Sequence, residues 1–185
     1  MEVPELPDNR KRTVFLGFAF LILLVLSSVE NTVFFSTLSG IFSNQFLAVG
    51  MLFIHNVLVV SLILLGMTFY VNLVISGFFK REKYSHVVLE HPRTFALVFT
   101  IMIVFLSILR GSSLLGGINV EVLHLVLLVS APIGIVEGYG IYLTIEKTFS
   151  RSMSMRSLAY IYGIFFIAAV MEVGFINLLI WVTAG

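Results

Sequence analysis

Long apolar runs, separated by short clusters of charge, set the pattern of this chain. Thr13–Val29 is the first run, and it follows the basic triplet Arg10-Lys11-Arg12. Val57–Phe79, Thr94–Leu109, Val122–Ile145 and Ser157–Val182 are the others long enough to cross a bilayer, which takes about 20 apolar residues in a helix. The pattern predicts an all-α, polytopic membrane helix bundle of five transmembrane helices.

Glu30–Asn56 departs from that pattern. It has no Lys or Arg, and its apolar core, Phe46–Ile54, is too short to span. Phe34, Leu38, Ile41, Phe42, Phe46, Val49 and Phe53 recur at helical spacing, opposite Thr37, Ser39, Ser43, Asn44 and Gly50. Residues 31–55 are therefore expected to form an outer interfacial helix, or a re-entrant helix broken near Ser39-Gly40. A sixth crossing here would reverse the sidedness of every later loop.

The N-terminal segment 1–12, with Pro4, Pro7 and three acids, resembles the start of a signal peptide. Thr13–Val29 nevertheless exceeds the usual 7–15 apolar residues, and Ser27-Ser28-Val29-Glu30 is a poor cleavage site. A retained first span is expected, with residues 13–185 forming a single membrane domain.

Composition strengthens this reading. Of 185 residues, 59% are hydrophobic and 11% charged, and the mean hydropathy is +1.08, where a soluble domain carries about 25% charged residues. The net charge of +1 gives no reason to expect nucleic acid as a partner. The absence of Cys removes disulfides, thiolate catalysis and Cys-ligated zinc.

Charge distribution orients the chain. Arg10, Lys11 and Arg12 precede the first span, Lys80, Arg81, Lys83 and Arg93 join the second to the third, and Lys147, Arg151 and Arg156 join the fourth to the fifth. Only Arg110 falls on the other side. The positive-inside rule puts the N-terminus in the cytoplasm and the C-terminus outside, in a multi-pass protein of the cell membrane.

Candidate chemistry lies in the few polar residues within spans. Glu137 and Glu172 sit deep in the fourth and fifth runs, where an ionised acid costs about 2.5–3.5 kcal/mol to insert. Both are expected inside the bundle or at a subunit seam, at least one of them protonated near neutral pH. Gly134-x-x-x-Gly138 offers a close-packing surface beside Glu137, and Ala168 precedes Glu172 by one turn. Pro132 interrupts the fourth span, suiting a kink or hinge. In the second span Ser61, Thr68, Asn72 and Ser76 share one side, which is expected to face the bundle and supply interhelical hydrogen bonds. His55-Asn56 opens that span, where Asn56 reads as a helix cap and His55 as an interfacial residue.

Metal ligation finds no recognisable spacing among Glu30, His55, Glu121 and His124. His86 and His91, with Glu82 and Glu90, read as solvated loop charge. His-Glu-x-x-His, Gly-x-Ser-x-Gly and a Gly-rich Lys-Ser/Thr loop are absent. No catalytic residue, cofactor or metal is expected, and the chain is not expected to be an enzyme.

The order of these features resembles the stage II sporulation protein M family of integral membrane proteins. The likeness rests on Ile54-His55-Asn56, Gly66, Pro132-Ile133-Gly134-Ile135-Val136-Glu137 and Ala168-Ala169-Val170-Met171-Glu172, and covers roughly Phe42 to Asn177. Ile133 stands where the family's Pro-His-Gly-x-x-Glu has His, and Ser76-Gly77 where it has Asn-Gly. The resemblance implies a multi-helix membrane scaffold or permease-like subunit, acting with envelope partners.

Three functions are therefore weighed. The first is a non-enzymatic membrane subunit or scaffold of an envelope complex, embedded in the lipid bilayer as a homo-oligomer. The second is a permease-like protein that uses Glu137 and Glu172 for proton-coupled or small-solute movement; no internal repeat accompanies it. The third, an intramembrane hydrolase, lacks an identifiable nucleophile or metal.

Overall fold

A computed structural model of the chain describes the backbone of residues 9–41, 44–78, 87–114 and 120–184. Residues 1–8, and Lys80, Arg81, Lys83 and His86, lie outside the described residues, as do the side chains of Arg110, Glu121, His124 and Ser130. Among the described residues every element is helical: α1 (Asn9–Ile41), α2 (Gln45–Ile75), α3 (Val87–Glu90), α4 (Pro92–Leu114), α5 (Val120–Phe149) and α6 (Met155–Ala184). Three stretches among the described residues are long and apolar enough to cross a membrane: Lys11–Phe34, Gln45–Ile75 and Met155–Leu178.

The expected interfacial or re-entrant helix over residues 31–55 is not a separate element. Its first part continues α1 to Ile41 and its last part opens α2 at Gln45. The segment is helical on both sides of residues 42–44, and Thr32 and Thr37 do not interrupt α1 because its own carbonyls satisfy them. Thr32 Oγ1 donates to the Ser28 carbonyl (3.0 Å) and Thr37 Oγ1 to that of Val33 (2.8 Å). Ser39-Gly40 is likewise within α1.

The cap assigned to Asn56 belongs instead to Asn44, twelve positions earlier in the chain. Asn44 has extended backbone (φ −123°, ψ 103°), and its side chain accepts from the Leu47 amide at 3.2 Å, closing an orphan donor of the first turn.

Close packing makes α1 and α2 an antiparallel hairpin. Phe69 of α2 lies over Gly17 of α1, and Phe20 of α1 over Gly66 of α2; a Cβ on either glycine would stand 2.9 Å from the facing ring. Along these pairs α1 numbers rise as α2 numbers fall, which sets the direction. The opposite face of α1, with Val14, Phe15, Phe18 and Val25, is exposed and apolar, as a surface solvated by lipid tails must be.

Two apolar clusters hold the helices together. One joins Val60 and Val71 of α2, Ala96 of α4, Ile141, Ile145 and Phe149 of α5, and Ile161 and Phe165 of α6. The other joins Phe34 of α1, Ala48 and Leu52 of α2, and Ala169 and Val173 of α6. The C-terminal part of α2 therefore shares an end with the start of α4, the end of α5 and the start of α6.

At that shared end α2 and α5 stop in the same way. Gly77 (φ 71°) and Arg151 (φ 55°) are left-handed. Phe78 N–H reaches the Leu73 carbonyl (3.2 Å) and Ser152 N–H that of Lys147 (3.0 Å), the six-to-one bond of a Schellman ending. A Cβ is strained in this region and glycine is not. Arg151→Gly is thus expected to stabilise the fold by about 0.5–1 kcal/mol, read as a raised thermal midpoint in detergent; an unchanged or lowered midpoint would contradict the assignment. Beyond the turn, Ser154 starts α6 by accepting from the Ser157 amide at 3.1 Å, and Pro92 occupies the first position of α4, where a missing N–H costs nothing.

Candidate functional site

Several polar side chains of the long helices link one helix to another. His55 and Asn56 are neighbours on α2, so their side chains leave the helix about 100° apart and reach different partners. His55 turns to α1: its Nδ1 lies 3.0 Å from Oε2 and 3.3 Å from Oε1 of Glu30. Its ring stacks on Phe34, one turn along α1 from Glu30, with centroids 4.9 Å apart and planes 16° from parallel. Asn56 turns to α5. It is buried, 8% exposed, and its Nδ2 donates to Oε1 of Glu137 at 3.3 Å.

The buried position of Asn56 explains why the bond matters. An amide in an apolar interior must find a partner or forfeit about 1–3 kcal/mol, and Glu137 is the acceptor it has. Glu137 in turn interacts electrostatically with Glu172 of α6, and both residues are half-buried. Ala168 and Ala169, each fully buried, bring α6 close to its neighbours just before Glu172. The result is a polar layer that runs Glu30–His55 on one side of α2 and Asn56–Glu137–Glu172 on the other, touching α1, α2, α5 and α6.

The remaining candidates separate from this layer. Asn72 spends its amide on the Thr68 carbonyl of its own helix (2.8 Å), and Thr68 and Ser76 likewise bond within α2. Of the anticipated stripe, Ser61 is the one that bridges helices, meeting the Tyr162 hydroxyl of α6 at 3.0 Å. Gly66 receives Phe20, as described. Gly138 faces Thr100 and Val104 of α4 at ordinary contact distance, whereas nothing lies within 4 Å of a Cβ on Gly134. The two glycines thus do not form one seam within the chain. Pro132 lies inside a continuous α5, where its missing N–H removes one i→i−4 bond of the helix.

Several contributors escaped the sequence reading. Glu30 and Phe34 form the α1 side of the His55 contact, and their spacing of four on one helix is the sequence signal for it. Gly140 outranks Gly134 and Gly138 as a packing glycine, since a Cβ there would lie 2.5 Å from Cε2 of Phe165. Thr100 Oγ1 is buried with no hydrogen-bond partner among the described residues.

No protein-family model, curated protein or solved structure matches this chain.

In chemical terms the layer offers hydrogen-bonding and proton-binding groups. Among the described residues no three His, Asp or Glu side chains converge as a metal-holding set. The Asn56 amide held against Glu137 distinguishes its two carboxyl oxygens. Such a layer can tie helices together, or hold and release a proton.

Proposed function

We propose that this chain is a non-enzymatic integral membrane subunit that organises an envelope or membrane complex, assembled as a homo-oligomer. The observation that carries the reading is the closure of polar groups on one another across helices: Glu30 with His55, Asn56 with Glu137, and Ser61 with Tyr162. Each pair links two helices and leaves the outer surface of α1 apolar, available to lipid or to other membrane segments. The likeness to the stage II sporulation protein M family adds support for an envelope partner. Cross-linking in native membranes followed by pull-down tests the idea: discrete complexes containing more than one copy are expected, and recovery of the monomer alone would overturn it.

The same reading takes α1, α2, α4, α5 and α6 as five spans, N-terminus inside and C-terminus outside. Ten of the eleven Lys and Arg residues then belong to one side, in agreement with the positive-inside rule. The natural lack of cysteine makes labelling direct. Ser152→Cys is expected to react with an impermeant maleimide only in inverted vesicles, and Gln45→Cys in sealed cells. The reverse pattern would sink the topology.

A second reading, proton-coupled or small-solute movement, is favoured by the interacting carboxyls of Glu137 and Glu172. Intramembrane acids mark such routes, and replacement by Gln separates the two readings.

A further inference from the structure

A groove of about 480 Å³ runs along α2, outside the polar layer. Its floor is Ile63, Gly66, Met67 and Tyr70 on successive turns; Phe20 of α1 forms one wall and Phe99 of α4 the other. The volume is in the range of small-ligand sites, yet the lining is almost wholly hydrocarbon, so its occupant is a chain of methylenes rather than a polar solute. The lining residues of α2 run from Leu62 to Tyr70, about 12 Å of helix rise, which gives the groove an elongated shape.

Charge distinguishes its two ends. Tyr70, Val88 and Phe149 close the groove at the end where α4 begins and α5 finishes. Among the described residues that end carries Lys11, Arg12, Arg93, Lys147, Arg151 and Arg156 against Glu90 and Glu146. Arg93 is 84% exposed and only 4.0 Å from Glu146, which also meets Lys147 at 3.7 Å. One carboxylate thus faces two cations, which leaves that end with a surplus of positive charge. A hydrocarbon slot leading to a surplus of positive charge is the complement of a molecule with an apolar tail and an anionic head.

We propose that this groove binds one acyl chain of an anionic phospholipid, with the phosphate seated at the basic end beside Arg93. The tail replaces loose bilayer contacts with the Phe20, Met67 and Phe99 walls, and the head supplies the anion that Glu146 alone does not provide. Basic sites between transmembrane helices bind anionic head groups by this logic. The proposal stands independently of the scaffold and transport readings.

The test uses the full chain in phosphatidylcholine nanodiscs doped with a trace of phosphatidylglycerol, or of phosphatidylcholine, carrying a photoactivatable acyl chain. Adducts are expected at Ile63, Met67 and Val88, with phosphatidylglycerol favoured over phosphatidylcholine by about fivefold. Arg93→Gln should remove most of that preference while adducts in the groove persist. Ile63→Trp, and Val88→Trp as a second way of filling the slot, should abolish the groove adducts with helical content and monodispersity unchanged. Equal labelling by the two lipids in the unmodified chain would overturn the proposal. So would adducts as frequent on Phe15, Phe18 and Val25 as in the groove, because that is ordinary bilayer contact.

Discussion

Gly140→Ala is expected to destabilise the folded bundle by about 1–3 kcal/mol, although alanine is the better helix former. The added Cβ would stand 2.5 Å from Cε2 and 2.8 Å from Cζ of Phe165, and Phe165 is itself buried in the main apolar cluster. Its ring is enclosed by that cluster, so either the ring shifts against its neighbours or α5 and α6 move apart. Thermal midpoints in detergent provide the measurement. Gly134→Ala and Gly163→Ala are the controls, since nothing lies within 4 Å of either position; helix propensity alone makes them neutral or stabilising by up to about 1 kcal/mol. Combining Gly140→Ala with Phe165→Leu should recover part of the loss, because the smaller side chain yields the space. A Gly140→Ala protein as stable as the starting chain would show that the two helices do not pack as described.

Glu137 is the second position where a large effect is expected. Glu137→Ala removes the acceptor of a buried Asn56 amide, a loss of about 1–3 kcal/mol, and opens a gap next to α2. Glu137→Gln keeps the shape and an acceptor oxygen, so its stability should stay within about 1 kcal/mol of the original. Glu172→Gln should behave in the same way. Native-membrane cross-linking of these variants then reads the function. Intact complexes and intact activity with Gln at both positions favour a structural layer, whereas a folded, assembled protein that has lost activity favours proton coupling. Equal stability of Glu137→Ala and Glu137→Gln would remove the Asn56 bond from the account of the fold.

Helical character and the location of two acids within apolar helices were legible in the sequence because both depend on short-range patterns. Apolar runs and charge clusters act over one or two turns, so Ser157–Val182 and its Glu172 map onto α6 with only small changes at the ends. The boundaries of α1 and α2 were misread for an equally local reason. Glu30, Thr32 and Thr37 lower hydropathy, and a window of hydropathy does not register that a helix carbonyl or a histidine on the next helix satisfies them. Asn56 looked like a cap because it stood at the edge of an apolar run. Its structural role is opposite, a buried amide eleven residues into α2.

The glycines show the limit from another side. Gly134-x-x-x-Gly138 has the spacing of a packing motif, but spacing does not say which helix approaches which face. Gly17, Gly66 and Gly140 matter because Phe69, Phe20 and Phe165 arrive there from other helices.

By itself, the sequence determined the solvent this protein folds in, its all-helical class, the segregation of basic residues and the presence of two acids in apolar surroundings. These follow from transfer energies and backbone hydrogen bonding, which each segment meets alone in a bilayer. The tertiary structure decided the partners: His55 with Glu30 and Phe34, Asn56 with Glu137, Ser61 with Tyr162, and the phenylalanines with their glycines. Between helices that are all apolar, the hydrophobic effect has little preference among registers, so steric fit and the satisfaction of a few polar groups select one. Those are properties of pairs of surfaces distant in the chain, and they exist only once the helices have met.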